Sequence, residues 1–336
     1  MADDAPLLCR PDAIAQARRA PAVESRNAFK AFQTFRAFQA FAVAGVLLSA
    51  GCKIVDDASF RRATADRTPV PTVGGAVSAA AAEAAGVEGA IAEGPVGSSV
   101  RRGRAILLAT RDSLPWFVGN RLRCVSCHLD EGRRPFAMPF TGVTARYPQY
   151  RRRGHRIERI EDKVNDCFRR SMAGRPLPWE STAMRDLVAY FAHLSRGVPV
   201  GTSVTGQSVD TVRSVTRGDT ARGGAVYAAS CARCHGANGQ GSTLATPLWG
   251  AQSFTIAAGM ARWKVTAAFV RHNMPNDRLE SLSDQEAVDV ALYVTSRPRR
   301  DFAGKERDWP QGNAPVDVPY RTRATARPGT PGAARR

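Results

Sequence analysis

CVSCH at residues 124–128 and CARCH at residues 231–235 are the two stretches from which the rest of the chain can be read. Each sets two thiols three residues apart with a histidine directly behind: Cys124, Cys127 and His128, then Cys231, Cys234 and His235. That spacing suits covalent attachment of c-type haem, in which the cysteines add across the vinyl groups and the histidine becomes the proximal iron ligand. A zinc site or a redox dithiol uses the same cysteine spacing, but here the histidine recurs in place both times. Two covalently bound haem c groups are therefore expected, attached outside the cytoplasm. The motifs are 107 residues apart, and their surroundings repeat at about that interval. Helix-like stretches precede them at 100–110 and 219–229. Apolar helical patterns close each half at 184–194 and 285–295, with Tyr190 and Tyr293 in matching places. The implied fold class is all-α: two class I cytochrome c-like domains in tandem, each around one haem.

The 336 residues suffice for two small domains plus extensions. Forty-eight basic against 30 acidic side chains leave a net charge of +18, which favours an anionic partner without naming one. No nucleic acid is expected, because basic and aromatic residues are not interleaved and the compartment is wrong. No apolar run approaches the roughly 18 residues of a spanning helix. Arg26, Lys30 and Arg36 precede an apolar stretch at 40–50 that ends in LSAGC at Cys52. Positive, apolar, then small is the order of a secretory signal, and LSAGC resembles a lipobox. Residues 1–52 are thus expected as a leader, with the protein periplasmic and, where Cys52 is acylated, anchored to the membrane as a lipoprotein. A start near Val23 would give that leader an ordinary length. Residues 53–99, rich in Ala, Gly, Ser and Pro, read as a flexible tether. The first cytochrome domain follows at 100–196, a linker at 197–217 and the second domain at 218–300. Residues 301–336 read as a basic Pro/Gly-rich tail, extended and partly mobile beyond Pro310.

Each iron needs a sixth ligand or an open site. For the second haem the candidates are Met260, His272 and Met274. Met274 stands in NMP, 39 residues after His235, and a methionine followed by proline at that distance suits a thioether ligand. Met260 is the reserve. The same offset from His128 reaches Cys167. With Cys9 and Cys52 in the leader and four cysteines in thioethers, Cys167 is the one unassigned thiol of seven. A plain buried residue is the commoner role of a free cysteine. In an oxidising compartment, however, a lone thiol is used or protected, and thiolate is a legitimate haem ligand. Cys167 is therefore expected on the first iron, ahead of His155, Met138, Met172, Met184 and His193.

Residues 146–175 hold nine arginines and Lys163 against four acids. Within them, 157–172 reads as an amphipathic helix on which Lys163, Arg170 and Ser171 share the face of Cys167. Arg153 and Arg156 lie just before it and can fold back over the haem edge. Charge runs are ordinarily solvated faces that dock an acidic partner. This one brackets the single free thiol, which points to a pocket for a small oxyanion, held by paired guanidinium hydrogen bonds.

The segment IEDKVNDCFRRSMAGRPLP (160–178), with GNRLRCVSCHL (119–129) before it and LVAYFAHLS (187–195) after, resembles the dihaem thiosulfate dehydrogenases. PLWG (247–250), SFTIAAGM (253–260) and NMP are similar to theirs too. The resemblance runs over roughly residues 100–300. It implies that the first haem, ligated by His128 and Cys167, is the catalytic one, with Arg153 and Lys163 binding substrate and Arg170 beside them. The second, ligated by His235 and Met274, would pass electrons to a periplasmic acceptor such as a cytochrome c. The implied reaction is 2 thiosulfate ⇌ tetrathionate + 2 electrons, with Cys167 either leaving iron for a transient S–S adduct or staying bound and tuning the potential. Asn273 stands where some members place a switching lysine, so that switch is not expected. Two other readings remain: a dihaem electron-transfer cytochrome without its own substrate, and a haem–cysteine subunit of a sulfur-oxidation carrier system.

Overall fold

The computed structural model describes residues 91–208, 212 and 217–325. The chain divides into two units, residues 1–68 and 69–336, and every described residue belongs to the second. The expected leader, the tether up to residue 90 and the tail beyond 325 lie outside the described residues.

Six helices carry the fold: α1 (Gly94–Leu108), α2 (Ile160–Asp166), α3 (Thr182–Leu194), α4 (Thr220–Ser230), α5 (Trp263–Asn273) and α6 (Asp284–Thr295). Local chemistry fixes where they start. Ser181 accepts from the Met184 amide, Asp219 from Ala221 and Arg222, and Ser283 forms a capping box with Glu286. Helix α1 begins six residues ahead of the expected start, with proline in its first turn. Residues 94–99 therefore belong to the first domain rather than to the tether.

The two halves repeat one crossing. Helix α1 packs on α3 and α4 on α6, each through a glycine pressed against a partner backbone. A Cβ at Gly103 would stand 2.0 Å from the Asp186 carbonyl oxygen, and one at Gly223 would stand 2.0 Å from that of Asp289. Tyr190 and Tyr293 flank these contacts. The residue before each glycine is an arginine that grips the facing aspartate with two bonds: Arg102 to Asp186 at 2.8 and 2.8 Å, Arg222 to Asp289 at 2.8 and 3.2 Å. An Arg-Gly against Asp-x-x-x-Tyr thus recurs, and the all-α tandem cytochrome architecture stands. Its only regular sheet among the described residues is a small antiparallel hairpin, β1 (Gln149–Arg151) with β2 (Arg156–Glu158), whose turn carries Arg153.

Three expectations change. The helix foreseen over 157–172 starts only at Ile160, because Arg156–Glu158 is spent on β2. Much of the expected linker is part of the first domain: Gly201 bonds the Ala145 carbonyl, Phe136 bonds that of Gly206, and buried Gln207 bonds that of Thr141. The tail, to residue 325, is packed rather than extended. Trp309, Asp308, Asp317 and Thr322 are all buried, since acids on the tail meet arginines on the body: Asp308 meets Arg170, and Asp317 meets Arg262.

The halves share a core. Phe254, Ala258 and Ala261, with Met260 beside them, leave the second half to pack among Leu122, Phe168 and Met172 of the first. Asn120, 2% exposed, ties the seam by donating to the carbonyls of Ser171 and Ser253 at 2.9 Å each while accepting from Leu122.

Candidate active site

The motif histidines are set for a metal. Nδ1 of His128 lies 2.6 Å from the Met138 carbonyl, and Nδ1 of His235 lies 2.8 Å from that of Thr246. Each Nδ1–H donates to a carbonyl, which fixes the tautomer and would leave Nε2 as the atom to hold iron. Phe140 stacks on His128 at 4.2 Å and holds the ring plane. Burial drives the His128 pKa down to about 4, so the imidazole stays neutral as a ligand must. Cys124, Cys127, Cys231 and Cys234 are half-buried thiols free of disulfides. Among the described residues no cluster of three His, Cys, Asp or Glu side chains has metal-site geometry. The paired thiols with a carbonyl-anchored histidine directly behind them fit haem c at both motifs.

Cys167 ends α2, where the ladder widens into a π turn over Cys167–Ser171, with Met172 N–H bonding the Cys167 carbonyl at 2.9 Å. Such a turn holds one more residue than an α turn and often marks a functional position. Carbonyls left over by it are taken from outside. Arg170 O accepts from the amide and hydroxyl of Thr255 at 3.1 and 2.7 Å, and Ser171 O accepts from Asn120. Cys167 lies near the CVSCH motif: its neighbours Val164 and Phe168 share a core with Cys124 and Val125, and a charge on it would raise the pKa of both motif cysteines. Burial pushes the Cys167 pKa up, and Lys163 is the strongest charge pulling it down, with Arg151 and Arg153 adding to that pull.

The expected cations part company here. Arg153 and Lys163 have no carboxylate within ion-pair distance among the described residues; Arg153 donates to the Ala257 carbonyl at 3.0 Å and lies under the Trp309 ring at 4.7 Å. Arg170, expected to hold an anion, does not have its guanidinium free. It is locked to Asp308 by bonds of 2.7 and 2.8 Å and lies over Phe302. The reason is the packed tail, which brings Asp308 alongside, with Asp166 a further 3.6 Å partner on the same helix. Arg156 opens β2 and pairs with Glu158 on the same strand.

In the second half, Met274 caps α5 with its N–H on the Val270 carbonyl, and the Arg233–Asp277 ion pair ties the loop behind it to the CARCH turn. Met260 is in the shared core with Cys124 and Val125 instead. His272 stacks on Phe136 at 4.2 Å and pairs with Glu280. Of the weaker candidates, Met172 and Met184 are core and His155 bonds Tyr150 and Gln311. Sequence reasoning missed Asp308, Trp309 and Tyr320. An acid and a tryptophan side by side in a Pro/Gly-rich tail were the available signal.

Comparison with known proteins places the chain in a family. A family model described as SoxA/TsdA, cytochrome c domain matches residues 119–200, and one described as cytochrome C oxidase, cbb3-type, subunit III matches residues 218–294. A thiosulfate dehydrogenase of Psychrobacter arcticus is 40% identical over 237 residues, which are 69% of this chain and 72% of that one. Another, of Allochromatium vinosum, is 43% identical over 220 residues, 62% of this chain and 82% of its own. The chain belongs to the thiosulfate dehydrogenase family. A solved thiosulfate dehydrogenase (TsdBA) of Marichromatium purpuratum, in its as-isolated form, matches with a TM-score of 0.61 and 34% identity. That match takes in 64% of this chain and 49% of that one, so the chain spans about half the solved protein's length. The protein is therefore an enzyme, a thiosulfate dehydrogenase whose two cytochrome c domains bind haem c.

Proposed function

We propose that this dehydrogenase joins two thiosulfate ions into tetrathionate at a His128/Cys167-ligated haem in the first domain. A His235/Met274-ligated haem in the second would then pass the electrons to a periplasmic acceptor such as a cytochrome c. The observation that carries the reading is Cys167 next to the core that holds the CVSCH motif, with Lys163 and Arg153, unpaired among the described residues, acting on it. When bound, the two haem c groups supply one-electron acceptors, and the balance 2 S2O3(2−) → S4O6(2−) + 2 e− needs two. Two dianions repel, so the residues that bring them together must be cationic and not already neutralised. Arg153 and Lys163 meet that condition and Arg170 does not. The π turn that begins at Cys167 supports a functional role for this position. Thiolate ligation lowers, and methionine raises, the potential of a haem, so electrons run from the first domain to the second. The Arg233–Asp277 pair supports Met274 rather than Met260 as the second sixth ligand. Covalent haem attachment and the leader-like sequence to Cys52 support a periplasmic location, with Cys52 as the lipid anchor.

The test is ferricyanide reduction by thiosulfate in the purified dihaem protein, beside Cys167→Gly. Thiosulfate-dependent reduction that disappears in the variant, with both haems still attached and tetrathionate recovered only from wild type, is the expected result. Turnover that survives in Cys167→Gly would remove Cys167 from the site.

A further inference from the structure

We infer that the C-terminal strap, through Trp309 and Asp308, is the wall that positions Arg153 for the anionic substrate; this rests on the reading of Arg153 as a substrate cation. Trp309 is 4% exposed and grips Arg153 twice. Its indole face lies 4.7 Å from the guanidinium, and its backbone N–H donates to the Arg153 carbonyl at 2.9 Å. The hairpin turn bearing Arg153 is thus fixed at backbone and side chain by a residue 156 positions away in sequence. Trp309 does so with φ at +49°, a left-handed conformation that a bulky residue adopts only where surrounding contacts hold it there. Those contacts are on its neighbours. Asp308 takes both arms of Arg170 and accepts from the Tyr320 hydroxyl at 2.6 Å, while Gln311 meets His155 on the same hairpin.

The arrangement sorts two neighbouring guanidinium groups into different roles. Arg170 and Arg153 are close enough for each other's charge to matter, and two uncompensated guanidinium groups in a half-buried wall would repel. Asp308 neutralises Arg170 and makes it structural. Trp309 offers Arg153 an aromatic face, which orients a cation without cancelling its charge. Nη1 of Arg153 is spent on the Ala257 carbonyl, and the rest of its planar fork has no acid to satisfy. An arginine held flat with its charge unspent is what recognition of a small oxyanion requires. Trp309 is a positioning residue in this scheme, acting on substrate through Arg153.

The experiment is a double-mutant cycle on the dihaem enzyme with Trp309→Leu, Trp309→Phe and Arg153→Ala, reading KM and kcat for thiosulfate separately, with haem spectra and melting temperature for each. Trp309→Leu is expected to raise KM about tenfold with kcat changed less than about threefold, and Trp309→Phe to keep most of the wild-type KM, because phenylalanine retains the ring face. In the Arg153→Ala background, Trp309→Leu should raise KM no further. Additive effects with a large Arg153→Ala effect would overturn the strap's role and leave Arg153 in the site. An unchanged KM in Arg153→Ala would overturn both. Should Trp309→Leu fail to fold, Trp309→Met carries the same cycle against Arg153→Ala, since methionine fills more of the indole's space while removing the ring face.

Discussion

Asn120 shows how much can depend on one side chain. Its amide satisfies two carbonyls and one N–H across the seam between the halves, and one of those carbonyls belongs to the π turn of Cys167. Asn120→Ala leaves all three partners unpaired in a buried place and should cost about 3 kcal/mol or more, read from chemical denaturation. It should also loosen the Cys167 turn, visible in the spectrum of the first haem. Cys167→Met tests the ligand directly: exchanging thiolate for thioether is expected to shift the low-spin signature of one haem and raise its potential. An unchanged spectrum would take Cys167 off the iron.

Elements meet at the two glycine crossings. Gly103→Ala or Gly223→Ala would drive a methyl group to 2.0 Å from a carbonyl oxygen, so α1 or α4 must back away from its partner. A loss on the order of 3 kcal/mol is expected from either, measured as a fall in melting temperature with haem content unchanged. The paired aspartates give these crossings a pH dependence. Burial alone would raise the Asp186 pKa, but bonds from Arg102 and Ser99 outweigh it and leave the group below its ordinary 3.8; Asp289 is shifted the same way by Arg222. A carboxylate with a depressed folded pKa stabilises above its unfolded value and loses that contribution as pH falls through the folded one. Stability should therefore decline on acidification below about pH 4, and Asp186→Asn should flatten that decline. An equally steep acid limb in the variant would count against the pair.

Across the whole molecule, charge is unevenly disposed of. The net charge is +18, yet many arginines are spoken for: Arg170 by Asp308, Arg262 by Asp317, Arg102 by Asp186. The Arg170–Asp308 pair is mostly buried, with side chains 13% and 6% exposed. Asp308→Ala leaves the desolvated Arg170 guanidinium with only Asp166 at 3.6 Å and should destabilise by about 3 kcal/mol. In the proposed function the cations left unpaired near Cys167 bind thiosulfate, and the overall positive charge would steer dianions toward them. The ratio kcat/KM for thiosulfate should fall as ionic strength rises from 0.01 to about 0.15 M, where the Debye length shortens to about 8 Å. A flat salt response would deny the field that role.

The two CxxCH motifs, the tandem helical repeat and the basic stretch round Cys167 were legible in the sequence, because each is a local pattern: a fixed spacing, a period or a charge run. The resemblance over residues 100–300 added the substrate. Which cations stay free was not legible. Arg153 and Arg170 look alike in sequence and differ only because a tail some 140 residues further on brings an acid to one and an indole to the other. The π turn was hidden for the same reason, since its spare carbonyls are satisfied by Thr255 and Asn120 rather than by neighbours in the chain. Sequence fixes spacing along the backbone. Electrostatic pairing and the filling of buried hydrogen bonds depend on what folding brings alongside.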